Sequence, residues 1–126
     1  MSNITRQQQA DLAADAYNTR PVTKPNDKPI LIGGNYYKVL AVRNNPVTGY
    51  QGTVYQDVRT NEIVVAHRGT ASVTDGIIDL AMVTSWANLQ TADAEKLTRE
   101  AIKLANDIHR NDPRIQKTKI THVGHS

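Results

Sequence analysis

The run Ile63-Val64-Val65-Ala66 constrains the fold of this chain most. A strand with one solvated face alternates apolar and polar residues. An unbroken apolar run rich in β-branched residues suits a strand covered on both faces. Doubly covered strands of this kind are common in layered α/β sheets with flanking helices. Residues 92–110 supply one such helix, with Leu97, Ala101, Leu104, Ala105 and Ile108 on one stripe and Glu95, Lys96, Arg99, Glu100 and Lys103 opposite. Asn111-Asp112-Pro113 stops it. Residues 118–123 then read as a strand that runs into Gly124-His125-Ser126. Strand, helix and strand in that order predict a βαβ-like unit, with the glycine-serine turn at the carboxyl end of the last strand. Open α/β sheets place their chemistry there.

Upstream, residues 4–18 predict a helix with Leu12, Ala13, Ala16 and Tyr17 on one stripe. Residues 19–29 hold Pro21, Pro25 and Pro29 and read as a proline-rich loop. Strands are expected over 36–43, 50–58 and 62–67, the last two closing a hairpin through Thr60-Asn61. Gly33-Gly34-Asn35 reads as a plain turn, because no helix opening on Lys-Ser/Thr follows it. Residues 76–83 form a short apolar segment ahead of Trp86. At 39% hydrophobic and 21% charged residues the composition is that of an ordinary globular domain, and 126 residues suit one domain.

The net charge of +3 comes from scattered cations, among them Arg6, Lys24, Arg43, Arg59, Lys96, Arg110, Lys117 and Lys119. Nucleic-acid binders concentrate such charge on one face, and the tyrosines with the single Trp86 are too dispersed for a stacking platform, so no nucleic-acid partner is expected. The chain has no cysteine, which excludes disulfides and thiolate metal sites. No apolar run approaches membrane-spanning length and no signal peptide is visible at the polar N-terminus. A soluble protein is expected, either cytoplasmic or exported by a route independent of a signal peptide.

The four histidines offer no metal site or base on spacing alone. His122 and His125 are three apart on a strand and are expected on opposite faces. His109 reads as a partner for a helix C-terminus and His67 as a strand residue packed on its neighbours. No third ligand stands at zinc spacing, so neither metal nor cofactor is expected.

Gly124-His125-Ser126 is the first half of a G-x-S-x-G nucleophile elbow, a strained turn that lifts a serine hydroxyl clear of the sheet. Together with the buried strand ending in Arg68-Gly69-Thr70, Asp79 nine residues beyond Thr70, the helix around Leu97 to Ile108, and the opening stretch Asp11 to Tyr17, it resembles the class 3 lipases, the fungal-lipase-like α/β hydrolases. The implied fold is the N-terminal part of an α/β-hydrolase sheet with flanking helices, an incomplete domain over residues 1–126. The resemblance implies Ser126 as acyl nucleophile, Thr70 as an oxyanion-hole donor and Asp79 as the residue that orients Thr70. Arg68 is expected to brace the loop. Ser72 to Asp79 would correspond to a lid with Val73, Ile77 and Ile78 on its apolar side, though Asp75-Gly76 stand where many members have a Trp.

What the resemblance implies about activity is hydrolysis of lipid or phospholipid esters, with transient membrane-surface contact and, as in some bacterial relatives, a membrane-attacking effector role. The family's acid and histidine follow the serine along the chain. This segment is therefore expected to be inactive alone and to need the remaining hydrolase segment or a partner chain. The alternative is a non-catalytic truncated or split-enzyme module that binds a partner chain.

Overall fold

The computed structural model describes residues 4–47, 49–68, 80–112 and 120–125, the side chains of 80–91 and 124–125 excepted. Along the chain run α1 (Arg6–Asp15), β1 (Ile30–Ile32), β2 (Asn35–Asn45), β3 (Tyr50–Asp57), β4 (Ile63–Arg68), α2 (Leu80–Asn111) and β5 (Ile120–His125). Among the described residues the strands form one mixed sheet in the order β1-β2-β3-β4-β5. The first four are antiparallel neighbours, and β5 lies parallel to β4. With α2 between them, β4 and β5 are the strand–helix–strand unit that the apolar run and the amphipathic stripe predict.

Each face of the sheet has its own core. On one, Leu12, Ala13 and Ala16 pack against Ile32, Tyr37, Val39, Tyr55, Val64, Ala66 and Val123. On the other, Leu97, Ala101 and Ala105 of α2 pack against Ala41, Tyr50, Val54, Ile63 and Val65. The run 63–66 is fully buried because its side chains alternate between these two cores. In β2 a bulge between Val39 and Ala41 keeps both cores in register: Val39 stands opposite Tyr55 and Ala41 opposite Val54.

Several bounds differ from the sequence expectation, each for a local reason. α1 starts at a capping box in which Thr5 Oγ1 accepts from Gln8 N and Gln8 Oε1 accepts from Thr5 N. It ends at Asp15 rather than at residue 18, since Tyr17 N and Asn18 N bond to the carbonyls of Ala14 and Asp15 in tighter turns. β1 is not expected from the pattern, being three residues long. It folds onto β2 through Gly33 and Gly34, both at positive φ (57° and 86°). A Cβ on Gly33 would also strike the Asp11 carboxylate. α2 begins at Leu80, not at 92, and takes in the end of the apolar segment 76–83 together with Trp86. β5 continues through Gly124 and His125, where the sequence pattern puts a turn. No described helix is long and apolar enough to cross a membrane.

Candidate functional site

The carboxyl ends of β4 and β5 meet side by side, with Arg68 and His125 as register partners. From these two ends the chain continues to Gly69-Thr70 and to Ser126. Asp79 directly precedes α2. Thr70, Asp79 and Ser126 themselves lie outside the described residues, as does the stretch 72–79 read as a lid.

Arg68, the last residue of β4, is a brace. Its Nη1 donates to Gln51 Oε1 at 2.9 Å, and its guanidinium lies 4.4 Å from the centroid of the Tyr17 ring. Gln51 Nε2 donates in turn to Asn18 O and Thr19 Oγ1, both at 3.3 Å. The end of β4 is thereby tied to β3 and to the turn that leaves α1. Arg68 Nε is buried with no hydrogen-bond partner among the described residues.

On the α2 face of the same strand ends lies a relay that spacing alone does not foretell. Tyr50 Oη and His67 Nδ1 are 2.6 Å apart, and His67 Nε2 and His122 Nδ1 are 3.0 Å apart. The two imidazole planes lie within 10° of each other with centroids 5.3 Å apart, the edge-to-edge arrangement that a hydrogen bond between ring nitrogens requires. Burial pushes the Tyr50 hydroxyl well above the usual phenol range, with Asp93 adding to the rise, so the phenol keeps its proton. One proton serves the contact between the rings. If Tyr50 donates to His67, then His67 Nε2–H donates to His122 and the outer nitrogen of His122 carries its own proton. If the order reverses, His122 Nε2 is left as a free lone pair. Burial, and after it the charge of His122, lowers the pKa of His67, so its neutral form is favoured. A shallow recess of about 330 Å³ opens beside it, lined by His67, Ala94, Glu95, Thr98 and Arg99.

His67 is thus packed on its neighbours as expected, but the partner of His122 is His67. The rings come from positions 55 apart and meet only because β4 and β5 are parallel in this register. The one legible signal is that both histidines sit in apolar strands. Among the described residues no group of three or more metal-ligating side chains converges.

Two buried carboxylates anchor the scaffold around the strand ends. Asp93 of α2 accepts from Arg43 Nε at 2.8 Å and Asn45 Nδ2 at 3.1 Å, clamping the helix to β2. On the other face Asp15 accepts from Tyr55 Oη at 2.6 Å and from Arg20 Nε at 2.7 Å. Burial raises the Asp15 pKa, but bonds from Arg20, Tyr55 and Asn18 outweigh it and hold the carboxyl below its ordinary value. Both carboxylates tie an element to the sheet through these bonds.

No protein-family model, characterised protein or solved structure matches this chain. Among the described residues the fold is therefore of the general class, an α/β-type arrangement of a mixed sheet between two helices.

Proposed function

We propose that this chain carries the nucleophile and part of the oxyanion hole of a serine ester hydrolase acting on lipid or phospholipid esters, built on an α/β-hydrolase sheet. Ser126 is the nucleophile, Thr70 donates to the oxyanion, and Asp79 holds Thr70 in place. The observation that carries this reading is the parallel pairing of Arg68 with His125. Neighbouring strands are about 4.8 Å apart and successive Cα atoms about 3.8 Å. In the sequence Ser126 follows His125 directly and Thr70 follows Arg68 by two residues, so the two paired strand ends lead into the two motifs. An oxyanion donor must approach within about 3 Å of the oxygen that gains charge, which requires such proximity.

In the reaction, Ser126 Oγ attacks the ester carbonyl, a base takes its proton, and the tetrahedral oxyanion forms against the Thr70 N–H. Collapse breaks the ester C–O bond, the protonated base returns its proton to the departing alcohol oxygen, and the acyl-serine left behind is then hydrolysed by water. In the resembled family the base and the acid that orients it follow the serine in chain order. His67 is excluded as base because both of its nitrogens are engaged, by Tyr50 and by His122.

The test is hydrolysis of short-chain p-nitrophenyl esters and of phospholipid vesicles by the full natural chain. Ser126→Ala is expected to lower kcat by about 10³-fold or more, and Thr70→Gly, which keeps an N–H but loses the hydroxyl, by less. Unchanged turnover in Ser126→Ala overturns the assignment.

A further inference from the structure

The corner formed by β1, the start of β2 and the end of β3 leaves large apolar side chains in water. Leu31 is 58% exposed, Tyr36 56% and Val58 41%. Leu31 and Tyr36 are directly opposed across the β1–β2 ladder and so share a face, and Val58 N bonds to Tyr36 O from the end of β3. They stay bare because α2 packs over β2, β3, β4 and β5, while β1 is held by β2 and α1. Tyr36, Val58 and Arg59 also line a common recess of about 300 Å³ with Gly34, Asn35 and Asp57.

Exposed cations outnumber exposed carboxylates around this apolar row. Lys28, Lys38 and Arg59 are exposed. Lys38 follows Tyr36 by two residues and stands on its face of the strand. Of the nearby carboxylates, Asp57 and Glu62 are buried, and Asp57 accepts from Gln8 Nε2 and Arg59 N. Asp27 is exposed and accepts from Lys24 N.

We propose that this corner is a docking surface for an anionic phospholipid membrane. Leu31, Tyr36 and Val58 enter the interfacial layer, and Lys28, Lys38 and Arg59 meet lipid phosphates. A tyrosine beside aliphatic side chains, with Lys38 on its own strand face and Arg59 lining the same recess, has the chemistry of an interfacial anchor: the ring lies at headgroup depth and the cations draw it to negative charge. The choice of a membrane over an acidic peptide rests on the lipid-ester reading. The binding itself does not involve Ser126, so a failure of vesicle binding is distinguishable from a failure of ester hydrolysis.

Flotation with vesicles of phosphatidylcholine alone, and with about 30 mol% phosphatidylglycerol, tests this. The protein is expected to bind the anionic vesicles at least about tenfold more strongly, with the gain shrinking as salt shortens the Debye length. The pair Leu31→Ser and Tyr36→Ser is expected to lose about tenfold or more, as is the pair Lys38→Glu and Arg59→Glu. Because the chain has no cysteine, Tyr36→Cys gives a unique site for a polarity-sensitive dye, which should shift to the blue on anionic vesicles. The same dye at Ile102→Cys, exposed on α2, should not. Equal binding by both variant pairs overturns the proposal, as does a loss confined to the charge pair or a blue shift at Ile102→Cys alone. A dimer dissolved by the apolar pair without vesicle binding, or capture of an acidic peptide in place of vesicles, overturns it in favour of that partner.

Discussion

His67 is the residue whose surroundings make the clearest statement about pH. Burial first, and then the charge of His122, lowers its pKa from the ordinary value. The groups around it are Tyr50 from β3, His122 from β5, and Glu95 and Arg99 of α2, which line the adjoining recess. A histidine with a depressed folded pKa binds fewer protons folded than unfolded between that value and about 6.5, so the stability it contributes rises with pH across that window. That stability is complete above about 6.5 and lost as pH falls toward the folded value. Urea midpoints taken between about pH 5 and about pH 7.5 should climb in the parent and climb less in His67→Gln. Identical slopes in the two proteins would refute the role given to burial.

Elements that repeat a pattern were legible, and elements made by long-range contact were not. Ile63 to Ala66, the stripe Leu97-Ala101-Leu104-Ala105 and the turn at Thr60-Asn61 each carry their structure locally, and β4, the second half of α2 and the β3–β4 hairpin follow from them. β1 is too short to show a period, and the β2 bulge exists only to match β3. The first turns of α2 hold Ser85, Asn88 and Thr91, weak helix formers, and the helix there outruns its intrinsic propensity. Of the candidate site, Ser126, Thr70 and Asp79 come from motif resemblance, whereas the His67–His122 contact depends on a parallel register that no local pattern encodes. Gly52 illustrates the same limit, since nothing around it in sequence calls for glycine. In the fold, a Cβ there would collide with Leu97 Cδ2 and the Tyr50 hydroxyl. Leu97→Ala should cost about 2–5 kcal/mol by opening a cavity, and Gly52→Ala about 1–3 kcal/mol by overpacking. Combined, they should cost less than the sum by about 1 kcal/mol, because truncating Leu97 frees part of the space the new methyl needs. Strict additivity in chemical denaturation would show that Leu97 does not press on Gly52.

Across the whole molecule, burial is graded from the middle of the sheet outward. β3 and β4 are paired on both edges and covered on both faces, with Val54, Tyr55 and residues 63–66 inaccessible to solvent. β1 is an edge strand of three residues with Leu31 in water. Amides open to exchange with a free energy set by how much packing must be broken to free them. Opening β4 breaks two ladders and both cores at once, so its amides should exchange only through global unfolding. β1 can leave by breaking a single short ladder and the contact of Ile32 with α1. Hydrogen exchange followed by mass spectrometry should therefore rank β3 and β4 slowest, then β2, with β1 fastest. The ranking bears on both proposals, because it makes the end of β4 a rigid platform and the β1 corner a part of the sheet that yields to a surface. Amides of residues 30–32 as slow as those of 63–66 would contradict this division and would require the corner to be held by a contact beyond β2 and α1.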